Sequence, residues 1–127
     1  MARTTITKTP LTRNGSVNSA TGGVYQAFDQ PNGMQVAAGE AGRTILHVKN
    51  TNAASRTLTI RAGQAGHLGM AWMAGLGDTT VSIAATTGEA IVGPFESARY
   101  EQTDGYIYVD VDAGAGVTIA AFELPAA

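Results

Sequence analysis

Apolar and polar positions alternate along most of this chain with a period of two, the spacing of strands that bury one face. The clearest run is Thr44-Ile45-Leu46-His47-Val48-Lys49, where Leu46 and Val48 point one way and His47 and Lys49 the other. Asn50 to Ser55 is polar and turn-forming. Arg56 to Arg61 then repeats the alternation with Leu58 and Ile60 inward. Two such runs joined by a short polar loop predict an antiparallel hairpin. A second hairpin is expected where Tyr106 to Asp112, with Ile107, Val109 and Val111 inward, passes through Ala113-Gly114-Ala115-Gly116 into Val117 to Leu124. Shorter strands are expected at Val24–Phe28, Thr79–Ile83, Ala90–Val92 and Ser97–Gln102. Pro31-Asn32-Gly33, Thr87-Gly88 and Asp104-Gly105 read as turns.

Residues 62–78 break this rhythm. Five glycines there argue against a stable helix, so a long loop is expected, with a short strand near Leu68 to Met73. Residues 1–20 are polar and extended in preference, with Pro10 and Asn14-Gly15 as breakers, and suit an edge strand or an arm. The sum is about eight short strands and no convincing helix, the pattern of an all-β sandwich. We therefore expect a single-domain antiparallel β-sandwich, jelly-roll-like, over residues 21–127, preceded by an extended N-terminal arm over 1–20.

The length of 127 residues suits one domain with a core of its own. There are no cysteines, which removes thiol catalysis, thiolate metal sites and a disulfide framework. Charged residues make up only 14 % of the chain, so its surface costs little to desolvate against another protein. The net charge of −2 is too small to steer the chain toward nucleic acid or an acidic membrane. Within it, Arg3, Lys8 and Arg13 put +3 on the first thirteen residues and leave −5 on the rest. No N-terminal run has the apolar core of an export leader, and no window approaches a membrane span.

Candidate chemistry is sparse. His47 and His67 are the only histidines, and neither has a partner at metal-ligand spacing. No serine elbow or marked acid–base pair is present, so no catalytic residue is assigned and the chain is not expected to be an enzyme. Asp104, Asp110 and Asp112 form the best carboxylate group for a hard cation, but their spacing matches no calcium loop, and no metal site or cofactor is assigned. Arg43, Lys49, Arg56 and Arg61 would make a basic stripe across the first hairpin. Tyr106 and Tyr108 would then offer stacking faces. On a slightly acidic chain this falls short of a nucleic-acid site, and no small-molecule substrate is indicated.

What remains is surface suited to protein contact. Met70, Trp72 and Met73 lie in an unusually apolar loop with Leu68 and Leu76, as a core plug or as an interface. The arm offers a second contact. Its Thr-rich backbone suits addition to the edge of a partner's sheet, with Ile6 and Leu11 as anchors and Arg3 and Lys8 meeting an acidic rim.

The stretch from Ile91 to Leu124, with its Gly93-Pro94-Phe95, Tyr100 and Asp104-Gly105 followed by an alternating pair of runs, resembles small all-β virion proteins of tailed bacteriophages. Together with Leu46 to Thr51, the resemblance covers residues 43–124 and includes capsid decoration, or cement, proteins. It implies a homotrimer on the outer surface of the virion capsid that binds the major capsid protein and bridges neighbouring subunits. Another phage structural role, in tail, connector or fibre base, is the alternative. A glycan-binding sandwich using Tyr106, Tyr108 and Trp72 comes after that.

Overall fold

The computed structural model describes residues 2–17, 24–39, 41–63 and 75–125. In chain order the strands are β1 (Thr4–Thr5), β2 (Lys8–Pro10), β3 (Gln26–Ala27), β4 (Met34–Ala37), β5 (Thr44–Asn50) and β6 (Arg56–Ile60). They continue as β7 (Thr79–Ile83), β8 (Gly88–Val92), β9 (Tyr106–Val111) and β10 (Val117–Glu123). Among the described residues a 3-10 turn (Ala41–Arg43) precedes β5, and a short α-helix, α1 (Ser97–Tyr100), stands between β8 and β9. The strands form two five-stranded sheets. The first has the order β1-β4-β9-β6-β7; the second runs β2-β10-β5-β8, with β3 also paired to β10. The chain is an all-β sandwich, as its alternation predicts. Both sheets are mixed, because β1 runs parallel to β4 and β2 parallel to β10.

The core lies between the sheets and takes the side chains that the period of two marks as inward. Leu46, Val48, Leu58, Ile60, Ile107, Val109, Ile119 and Val36 are wholly buried. The pairing differs from expectation. β5 and β6 are not a hairpin: β5 pairs with β10 and β8, whereas β6 pairs with β7 and β9. Likewise β9 and β10 belong to different sheets. Each predicted hairpin is an arch from one sheet to the other. Alternation is indifferent to this choice, because either arrangement buries the same face.

The arches have their own chemistry. Asn50 is 1 % exposed, and its Nδ2 donates to the carbonyls of Ala54 at 2.9 Å and Ala84 at 3.1 Å. Its Oδ1 accepts from the Asn52 N–H at 3.0 Å. The Thr86 N–H donates to the Asn52 carbonyl, and the Thr51 N–H to that of Gly116, so three arches meet at one end of the sandwich. Gly116 sits at φ +77°, and a Cβ there would lie 2.8 Å from Asn52, so only glycine fits.

Ten strands are described where about eight were expected. Strand β4 escaped notice because Met34-Gln35-Val36-Ala37 is a short run directly after a turn. The expected strand at 97–102 is instead a helical turn: Ser97-Ala98-Arg99-Tyr100 lacks alternation and contains good helix formers. The largest revision concerns the N-terminus. Residues 4–10 are extended, but they pair with β4 and β10 of their own chain and cross between the sheets at Ile6, which is 1 % exposed.

Candidate functional site

The two outer faces of the sandwich differ in character. On the first sheet, Asp110 on β9 binds Arg3 at 2.8 Å and Arg61 at 2.5 Å, and Arg61 reaches Asp78 at 3.1 Å. Burial by itself would raise the Asp110 carboxyl. Hydrogen bonds from Arg3 and Arg61, with their positive charges, outweigh it and hold the group below the usual carboxylate range. The Tyr108 hydroxyl donates to Asp104, and that bond, with burial, raises its pKa. This face is closed by its own ion pairs.

The outer face of the second sheet is mixed, apolar at Ile45, Ile91 and Phe122 and polar at His47, Lys49 and Glu89. Register places His47 between Ile91 and Ala120, and Lys49 between Glu89 and Thr118, with Ile45 beside Phe122. Ala120 points outward yet is wholly buried, and it stands apart from the central core together with Val24. Tyr25 lies over this region, its ring 5.6 Å from His47 and 6.3 Å from Phe122. Its hydroxyl shares a 2.6 Å hydrogen bond with His47 Nδ1, and His47 Nε2 lies 2.8 Å from Glu89. Burial, then the nearby Glu89 charge, raises the Tyr25 hydroxyl. Lys49 sits 4.3 Å above the Tyr25 ring.

Beside this cluster runs a groove of about 310 Å³ lined by Leu11, Val17, Ile45, Ile91 and Phe122, with Ser16 and His47 as polar points. Ile91 is 72 % exposed on β8, at the rim of its sheet. Leu11, Val17, Ile45 and Phe122 are half-buried around it, so Ile91 is the exposed apolar point of the groove. The sheet edges differ between the two flanks. On one flank the edges are β1 and β2, which are short, and β2 carries Lys8 and Pro10, features that discourage pairing. On the other flank β7 and β8 end the two sheets without a lysine, arginine or proline, and among the described residues no strand pairs beyond them.

Of the partner-contact residues expected from sequence, Leu11 reaches this groove. Three others are engaged inside the fold. Arg3 clamps Asp110 and lies 4.3 Å over Tyr108; Ile6 is in the core; Lys8 Nζ donates to Thr44 at 3.1 Å. Met70, Trp72 and Met73 lie outside the described residues, as does His67. The basic stripe does not assemble, because β5 and β6 are in different sheets. Arg43 bonds the Leu124 carbonyl, Arg56 that of Ala115, and Arg61 faces Asp110 on the opposite side from Lys49. Asp104, Asp110 and Asp112 do not converge either: Asp112 accepts the Thr57 N–H, and each of the other two has separate partners. Among the described residues no group of three His, Asp or Glu side chains is placed to hold a metal.

Sequence reasoning missed Ile91, Phe122, Tyr25 and Glu89 as one surface. Ile91 and Ile45 stand at outward positions of alternating strands, and an apolar residue on the polar phase is the signal that finds them. Fold and face together define a β-sandwich with one face closed by arginine–aspartate pairs and one mixed face that carries the exposed Ile91. Comparison with protein families, curated proteins and solved structures finds no match.

Proposed function

We propose that this chain is a non-catalytic attachment module that docks through the outer face of its second sheet. The observation that carries this is Ile91, 72 % exposed beside Ile45, Phe122, Leu11 and Val17, on an edge strand with no charge-blocking lysine. Burying such a patch releases apolar surface from water, at roughly 25 cal/mol per Å². The adjoining edges of β7 and β8 supply backbone groups for strand pairing with a neighbour.

The setting we propose is the exterior of a tailed-bacteriophage head, where the protein acts as a decoration protein, binding the major capsid protein and bridging its subunits as a homotrimer. The resemblance of residues 43–124 supports that setting. The low charge of the chain fits it. The glycan-binding alternative is weakened, since the face of Tyr108 is taken by Arg3.

Co-sedimentation with purified empty shells tests the reading. Stoichiometric pelleting of the chain, lost on Ile91→Asp, supports it. A chain that stays in the supernatant with assembled shells overturns the capsid setting. Shell binding that survives Ile91→Asp unchanged overturns the docking face.

A further inference from the structure

The chain contains two Asn-Gly pairs, Asn14-Gly15 and Asn32-Gly33, and the fold treats them oppositely. In such a pair the glycine nitrogen has no Cβ to shield it and can approach the preceding side chain closely. Asn32 is restrained: its Nδ2 donates to Asp29 at 3.0 Å, and the Gly33 N–H donates to the Asp29 carbonyl at 2.8 Å. Gly33 is also buried beneath Arg3 and Asp110. Asn14 and Gly15 are both exposed, in a turn with Asn14 at φ +60°, closed by the Gly15 N–H to Thr12 carbonyl bond of 2.9 Å. An exposed turn opens at little free-energy cost, whereas freeing Gly33 requires lifting the Arg3–Asp110 clamp from it.

We propose that Asn14 is a site of spontaneous deamidation, with water as the only co-reactant. The Gly15 amide nitrogen loses its proton to solvent and attacks the Asn14 side-chain carbonyl carbon, forming a five-membered succinimide. The carbon–nitrogen bond of the side-chain amide breaks, and the group leaves as ammonia after taking a proton from water. Water then adds to either ring carbonyl and reopens the ring, to an aspartyl or an isoaspartyl linkage at position 14. Either product adds a carboxylate next to Gly15, Ser16 and Val17, which line the apolar groove. The isoaspartyl product also lengthens the main chain by one methylene at that point. The modification therefore places charge on the rim of the face that carries Ile91.

The test is peptide mapping by mass spectrometry of the full chain held at mildly alkaline pH, with isoaspartyl methylation as the second readout. A synthetic peptide of residues 9–17 runs in parallel. Conversion at Asn14 is expected at least an order of magnitude faster than at Asn32, and Asn14→Gln should abolish the early signal while leaving the circular dichroism spectrum unchanged. Equal or faster conversion at Asn32 overturns the proposal. So does an Asn14 that stays intact in the folded chain while the peptide converts.

Discussion

Arg3 and Asp110 stand 107 positions apart in the chain and meet as a forked ion pair, Nη1 to Oδ1 at 2.8 Å and Nη2 to Oδ2 at 3.2 Å. The same guanidinium reaches the Met34 carbonyl at 3.2 Å. Since Asp110 also binds Arg61, one carboxylate ties the first strand to the middle of the sheet. Gly33 lies against both groups at φ +75°, and a Cβ there would come within 2.4 Å of Asp110 Oδ1. The N-terminal segment is thereby part of the body.

Arg3→Ala should cost about 1.5–3 kcal/mol of folding stability, the range for hydrogen bonds to a charged group. Ile6→Ala should cost about 2–5 kcal/mol, as a truncation in a packed core. Urea unfolding measures both. Stability unchanged in both variants would detach residues 2–10 from the fold.

Acid should weaken the fold in a defined window. Asp110 and Asp29 both have folded pKa values below their unfolded ones, Asp29 through hydrogen bonds from Thr4 and Asn32. Their contribution is therefore complete above the unfolded carboxylate pKa of about 4 and is lost as pH falls through the lower folded values. The melting midpoint should drop below about pH 4, and Asp110→Asn should flatten that limb. Tyr25 and Tyr108, both raised, add the opposite loss above about pH 10.

Asn50→Ala should destabilise by about 1–3 kcal/mol, because it leaves the arch carbonyls and the Asn52 N–H without their buried partner. The denaturation midpoint reads this directly. A neutral outcome would mean that the arches hold without it.

Tyr25→Phe removes only the hydrogen bond to His47 and should cost about 0.5–1.5 kcal/mol. Tyr25→Ala also removes the ring that packs against His47 and Phe122, so binding of a hydrophobic dye should rise in this variant and not in Tyr25→Phe. Equal dye binding in the two would remove the Tyr25 ring as packing for this surface.

Ile91→Asp should shift folding stability by no more than about 0.5 kcal/mol, since the side chain is largely in water already. Its effect should fall on attachment. A collapse in melting temperature would make Ile91 a structural residue.

Much of the fold was legible in the chain. Leu46, Val48, Leu58, Ile60, Ile107 and Val109 are buried where alternation predicts, and all-β architecture follows from turn signals between such runs. Of the candidate site, Leu11 was found, but its neighbours were not. Ile45 and Ile91 meet only because β5 and β8 pair, and Tyr25 reaches His47 and Phe122 from a different part of the chain. Arg3 and Lys8 read as cations for a partner's acidic rim, because nothing near them in sequence announces Asp110 or Thr44.

The amino-acid order by itself determined which side chains turn inward, since a strand's pleat sends successive residues to opposite faces whatever lies beside it. Which strand lies beside which was decided only in three dimensions. Hydrophobic burial has no direction, and a hairpin and an arch satisfy the same alternation. Long-range bonds such as those of Asn50 and Asp110 belong to the arch arrangement, which also puts the Arg3–Asp110 pair and the exposed Ile91 on opposite faces.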